Sequence, residues 1–261
     1  MPRYLRALLP NQQLFPCKSD GDAYFDEKTN EQSMTKTEIA VECHGVRVPV
    51  SPYLNETRIE RIAQARYEGD EIKGALLVTT EKDRVLEMGS GLGIVGAVCT
   101  LNAKPERVIS FEANPDMLPH INALYEENDL TDRIEVRNQL VIANPDRPAT
   151  MTFHVQNSFL GSSLIAKANR RTREVEIPTV SFAEVVEELK PTVLLCDIEG
   201  GELDLLEHAD LSGIRAIVME FHPEAYEVEG MRKCKRILTQ AGFEKNEDVS
   251  TRKVWTCTRE V

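Results

Sequence analysis

Hydrophobic and polar residues alternate with a period of two through Ile39, Val41 and Cys43, and again through Val46, Val48 and Val50. His44-Gly45 separates the two runs, so the pattern predicts a β-hairpin with His-Gly as its turn. Residues 1–36 are polar and weakly patterned and read as loop. Asn55 is placed to cap a helix over 56–68, with Ile59, Ile62 and Ala63 on one face.

From residue 83 the rhythm changes. A short apolar strand over 83–89 runs into glycines, and a helix follows over 93–103. A second strand at 107–115 leads to a second helix at 116–129, and 133–143 reads as a third strand. Later come a strand at 191–200, a helix at 201–209, a strand at 214–223 and a helix at 231–242, with Gly242 where a C-terminal glycine belongs. Residues 243–259 close the chain as a hairpin. Strands alternating with helices predict a mainly parallel sheet covered on both faces, and right-handed crossovers make it doubly wound. Residues 146–190 interrupt the rhythm with two strand-like runs, 150–156 and 173–180, and then a helix; this is either an antiparallel β insertion before the fourth core strand or an extra edge pair. Ser181 and Glu184 form the spacing of a capping box for that helix.

The three alternate glycines Gly89, Gly91 and Gly93 let the backbone turn at a strand end and approach a ligand. Ligands of open α/β sheets bind at the carboxyl ends of the strands. Glu112 ends the second strand, where an acid accepts hydrogen bonds from both ribose hydroxyls. The pair therefore reads as an adenosine-type nucleotide site. Gly91, Gly93 and Gly96 also satisfy the dinucleotide pattern, which keeps NAD as a rival. Two features disfavour it: Glu87 would repel a pyrophosphate but suit a cationic amino-acid group, and the glycine run begins two residues too early.

A second constellation ends the fourth and fifth core strands: Asp197, Glu199, Gly200, Gly201 and Glu202, then Glu220 and His222. The bland readings are a helix cap for Glu202, an ion pair for Glu220 and a satisfied strand-end residue for His222. Asp197 follows an apolar run directly and lies beside the expected ligand.

Together, the stretches 85–93, 108–115, 196–206 and 218–223 resemble the FkbM family of methyltransferases, over roughly residues 37–259. The Asp197–Glu202 box and the Glu220–Pro223 box carry the resemblance. It implies an α/β, doubly wound, mostly parallel seven-stranded sheet of the class I methyltransferase, Rossmann-like kind. It implies S-adenosylmethionine as cofactor and O-methylation of a sugar or secondary-metabolite hydroxyl; the alternatives are a nucleotide-binding module without methyl transfer and an NAD-dependent oxidoreductase. An N-terminal extension of residues 1–75 would pack on a methyltransferase domain of residues 76–261. The cofactor would be held by Glu87, Gly89, Ser90, Gly91, Gly93, Glu112, Ala113, Asn114, Asn138 and Asp197. Asp197, Glu199 and His222 are the candidates for acceptor alignment or proton removal. Asp197, Glu199, Glu220 and His222 also have the chemistry to bind a hard divalent cation, but no metal ligand is assigned. One departure stands out: the family often carries a lysine where this chain has Leu195. Tyr67-Glu68 is a candidate lid, residues 157–163 a candidate acceptor wall, and Arg170, Arg171 and Arg173 a turn that an anionic acceptor would meet.

Composition narrows the partners. The chain has 261 residues and a formal net charge of −12. Wrapping a nucleic-acid backbone or docking on anionic lipid needs a basic surface, so the expected partner is a small-molecule or glycan acceptor. The six cysteines include no CxxC pair. With no signal-peptide h-region at the N-terminus and no apolar run of membrane-span length, the expected location is cytoplasmic.

Overall fold

The computed structural model describes residues 37–156 and 172–260. The first elements are the expected hairpin, β1 (Ile39–Cys43) and β2 (Val46–Pro49), turning at His44-Gly45. Helix α1 (Glu56–Ala63) starts at Asn55, whose side chain accepts the N–H of Arg58. It ends earlier than the periodicity predicts, because Ala65 and Glu68 adopt left-handed backbone angles. A second helix that the pattern did not reveal, α2 (Gly69–Val78), follows at once. The expected boundary at residue 75 falls inside it. Its face of Ile72, Ala75 and Val78 is buried on the main sheet. At Gly74 a β-carbon would stand 2.2 Å from Thr256 Oγ1, so glycine is what lets α2 lie this close.

The chain then runs β3 (Arg84–Met88), α3 (Ile94–Asn102), β4 (Arg107–Phe111), α4 (Leu118–Glu127) and β5 (Ile134–Arg137). The run expected as one third strand divides at Asn138. Its second part, β6 (Leu140–Ile142), joins β7 (Thr150–Gln156) and β8 (Thr172–Ser181) in a separate sheet of order β6-β8-β7. The interruption of the rhythm is therefore a small sheet of its own.

Next come α5 (Phe182–Leu189), β9 (Val193–Cys196), α6 (Glu202–His208), β10 (Ala216–Glu220), α7 (Pro223–Gln240), β11 (Glu244–Lys245) and β12 (Val254–Thr258). The capping box of α5 forms as expected: Ser181 Oγ accepts the N–H of Ala183, and Glu184 accepts that of Ser181. Helix α7 begins eight residues before its predicted start and is kinked at Tyr226-Glu227. At its end Gly242 has φ 86°, and Gly242 and Phe243 donate to the carbonyls of Thr239 and Leu238. This is the closure that favours glycine after a helix.

The main sheet has seven strands in the order β11-β12-β10-β9-β3-β4-β5, mixed only at the β12 edge. Alternate strand residues feed two cores. Val85, Val108, Leu195 and Val218 pack under α2, α3 and α4, while Leu86, Ile109, Leu194 and Ile217 pack under α5, α6 and α7. Beneath the strand starts, buried Asp83 accepts hydrogen bonds from Thr80, Thr192 and Arg215. Burial would raise its pKa, but these bonds outweigh burial and lower it. That knot fixes the end of the sheet opposite the glycines. The five described cysteines are buried free thiols, and no described helix is long and apolar enough to cross a membrane.

Candidate active site

The carboxyl ends of β3, β4 and β9 meet at a cavity of about 490 Å³. Asp197 donates its backbone N–H to Met88, and Gly89 donates to Phe111, so the three strand ends are stitched together. Gly89, Gly91 and Gly93 all have positive φ, as a backbone reversal of this kind requires.

Glu112 is buried, and its two oxygens accept the N–H groups of Gly91 (2.8 Å) and Asn114 (2.7 Å). Burial pushes its carboxyl up to about 7 despite those bonds. Asn114 lines the same wall, and its buried amide nitrogen has no protein partner. Buried donors rarely go unused, so this one is available to a ligand. Gly89, Gly91, Ala113 and Asp197 also line the cavity.

Other expected contacts are placed elsewhere. Ser90 is buried with its hydroxyl on the Phe111 carbonyl, and Gly93 packs on Ile121 and Tyr125. Asn138 spends its amide nitrogen on the carbonyls of Glu112 and Ala113, so it braces the β4 end from behind. Glu87 points to the α3 side of the sheet. It is held by the Ser110 hydroxyl and the N–H of Gly96, and burial pushes it up to about 7. A β-carbon on Gly96 would come within 2.4 Å of Glu87 Oε2. The third glycine of the apparent dinucleotide pattern thus makes room for this carboxylate. Glu87 borders a second, small cavity of about 20 Å³ together with Glu68, Glu71, Leu195 and Asp197. Leu195, at the position where a lysine was the expectation, is buried beside Glu87 in the strand register.

Behind the main cavity His222 gathers four carboxylates. Its Nδ1 lies 2.8 Å from Glu202 Oε1, and its Nε2 lies 3.5 Å from Asp197 Oδ1, 3.9 Å from Glu199 and 4.0 Å from Glu220. Glu202 is fully buried and also accepts the N–H of Gly200 at 3.2 Å. It is therefore more than the helix cap its sequence position suggests. Burial works against charging His222, but the Glu202 hydrogen bond and the surrounding carboxylates prevail and lift it to about 9. Burial raises the Asp197 pKa, as does Glu220, while His222 opposes the shift. Asp197 and Glu199 line the cavity and His222 does not. Ligand atoms of Asp197, Glu220 and His222 lie within 4.8 Å of one another, close enough to hold a cation. At neutral pH the imidazolium of His222 is itself the cation among these carboxylates.

Two acids were not foreseen as site residues. Glu71 sits beside Glu220, and burial with that neighbour raises it to about 7. Glu68, read only as part of a lid, lines both cavities. Both belong to the unpredicted stretch around α2, and the spacing Ile72, Ala75, Val78 was the available signal. Arg173 lies in β8 and pairs with Asp116 at 2.6 Å. Residues 157–163, Arg170 and Arg171 lie outside the described residues.

Residues 97–245 match the family model described as the methyltransferase FkbM domain. A curated relative, the hexuronic acid methyltransferase AglP of Haloferax volcanii, is 28% identical over 172 residues. The match covers 63% of this chain and 66% of that protein, so the chain spans just under two thirds of the relative's length. Among solved structures, an O-methyltransferase from Bacillus cereus in complex with SAH aligns with TM-score 0.44 and 13% identity. It covers 74% of this chain and 82% of its own. A precorrin-6y C5,15-methyltransferase from Geobacter metallireducens aligns with TM-score 0.46 and 11% identity, covering 85% and 98%.

Proposed function

Because this chain belongs to the FkbM family of S-adenosylmethionine-dependent methyltransferases, we propose that it methylates a hydroxyl oxygen of a sugar acid. The NAD alternative falls with the family match. The lining fits S-adenosylmethionine: Glu112 stands where ribose hydroxyls donate, the Asn114 amide is unpartnered, and the acids around Asp197 suit a cation. When bound, the cofactor supplies an electrophilic methyl group on a sulfonium.

The protein's own part is to hold the acceptor oxygen in line and to receive its proton. Asp197 is the group for that proton. It lines the cavity, and burial and the Glu220 carboxylate raise its affinity for a proton. His222, already protonated at neutral pH, is a poor base. It orients Asp197 and offsets its charge. Glu199, which also lines the cavity, is placed to accept a second acceptor hydroxyl. The glycine loop lies against the cofactor, and Asn138 fixes the wall that Glu112 belongs to.

The observation that carries the reading is the pair Asp197 and Glu199 on the wall of a cavity that also holds the glycine loop and Glu112. The hexuronic acid named for the curated relative supports the acceptor class. The test is incubation with S-adenosylmethionine and a panel of glucuronic and galacturonic acid glycosides. A product heavier by one CH2, formed with S-adenosylhomocysteine, supports the reading. Turnover with neutral sugars and none with uronic acids would overturn the acid as acceptor.

A further inference from the structure

We propose that Glu68, at the turn into α2, forms the anionic seat for the ammonium group at the amino-acid end of S-adenosylmethionine. Sequence reasoning gave that role to Glu87. Glu87 is 2% exposed and committed to Ser110 and the Gly96 backbone. Glu68 has the Tyr67 phenol as a hydrogen-bonding neighbour. Among the described residues it forms no ion pair with any Lys, Arg or His.

Its position is specific. Glu68 lines both the main cavity and the small one behind it, as do Gly89 and Asp197. Its Oε1 lies 3.5 Å from where a β-carbon on Gly91 would stand, so the carboxylate hangs over the loop expected to hold the amino-acid end. The groups facing it are Asp197, Glu71 and Glu87, with the buried Tyr67 phenol beside it. All three of these ionisable neighbours are acids, so the carboxylate is surrounded by like charge. A partly buried carboxylate among acids is unfavourable until a cation joins it.

The backbone agrees. Glu68 has φ 46° and ψ 37°, a left-handed conformation that costs a residue with a β-carbon some strain. The turn is fixed on one side by Tyr67, which is 4% exposed, and on the other by the N–H of Ile72 bonded to the Glu68 carbonyl. Strain of this kind at a cavity wall marks a residue kept for its side chain. The proposal rests on the cofactor's identity and is independent of the acceptor.

The test is calorimetric binding of S-adenosylmethionine, S-adenosylhomocysteine and 5′-methylthioadenosine to the wild type, Glu68→Gln and Glu68→Gly. The third ligand lacks the amino-acid end. Loss of a charge-assisted hydrogen bond should weaken the first two by about tenfold or more and leave methylthioadenosine within about twofold. Glu68→Gly separates binding from folding, because glycine adopts the left-handed turn without strain. Its melting temperature should hold or rise while S-adenosylhomocysteine affinity falls. Unchanged S-adenosylhomocysteine affinity in both variants would overturn the proposal. So would an equal loss for methylthioadenosine, or a Glu68→Gly protein that loses stability along with affinity.

Discussion

The carbonyl oxygen of Asp197 lies 1.7 Å from the point where a β-carbon on Gly89 would stand. The glycine loop and the acidic box are therefore one fitted unit, since neither can move without the other. Gly89 also has φ 86°. Gly89→Ala meets backbone rather than a flexible side chain. It should cost more than about 3 kcal/mol by strain and overpacking combined. Thermal melting and S-adenosylhomocysteine binding should both deteriorate sharply, and a melting temperature within a degree of wild type would contradict this fit.

Glu202 and His222 give a second prediction. Replacing Glu202 by Gln keeps the volume and removes the charge that holds the imidazolium. The His222 pKa, read by NMR titration of the ring protons, should fall from about 9 toward the ordinary value of about 6.5. Removing one partner of a buried pair costs on the order of 3–5 kcal/mol, and a glutamine that still accepts from Nδ1 should lose less. An unmoved His222 titration would show that the other carboxylates alone hold the proton.

The same cluster predicts how stability depends on pH. Glu71, Glu87 and Glu112 titrate at about 7 in the folded chain, each raised chiefly by burial. A carboxyl raised on folding binds more protons in the native state, so its contribution is lost as pH rises from its unfolded value of about 4.3 through about 7. His222 has the same sign over a higher window, from about 6.5 to its folded value of about 9. Asp83, Glu188 and Glu224 are lowered and act only in more acid solution. The melting temperature of the ligand-free protein should therefore fall between pH 5 and 8. A rising melting temperature over that range would refute the assignment.

Glu112 and Asp197 should separate binding from turnover. Glu112→Gln should weaken S-adenosylmethionine binding about tenfold or more, because two ribose donors lose their anionic acceptor. It should also loosen the Gly91 and Asn114 amides that this carboxylate holds. Asp197→Asn should leave measurable binding but lower kcat by roughly two to four orders of magnitude if the carboxylate receives the acceptor proton. Equal losses in both variants would mean that Asp197 only seats the cofactor.

The imidazolium of His222 also bears on metals. Since it already supplies positive charge among Asp197, Glu199 and Glu220, treatment with a chelator should leave cofactor binding and turnover unchanged. Activity that disappears with the chelator and returns with Mg2+ or Mn2+ would assign Asp197, Glu220 and His222 to a cation.

The central sheet was legible because its strands are short apolar runs ending in glycine or acid, and buried parallel strands carry that signature. The hairpin, the cap at Asn55 and the capping box at Ser181 were equally local. What escaped notice depended on distant partners. Helix α2 hides its apolar face behind Gly69, Asp70, Glu71 and Gly74, and Gly74 is explained by Thr256 and Val218 of β12 and β10, far away in the sequence. Glu202 looked like a first-turn acid, and only the fold of β10 brings His222 onto it. Glu87 matched a binding motif, yet strand parity turns it toward Ser110 and away from the main cavity. Similarly, no local pattern says that the strand begun at Ile134 changes sheet at Asn138.

That change of sheet makes the protein modular. Asn138 clamps the β4 end with its side chain, and two residues later, at Leu140, the chain enters the small sheet. Among the described residues, β6, β7 and β8 lie between this clamp and the capping box of α5. Phe153, Val155 and Ile177 give the insert a core of its own. One face of the ligand cavity, including Ala143, Asn144, Met151 and Phe153, therefore comes from outside the main sheet, while the glycine loop, Glu112 and Asp197 come from its strand ends.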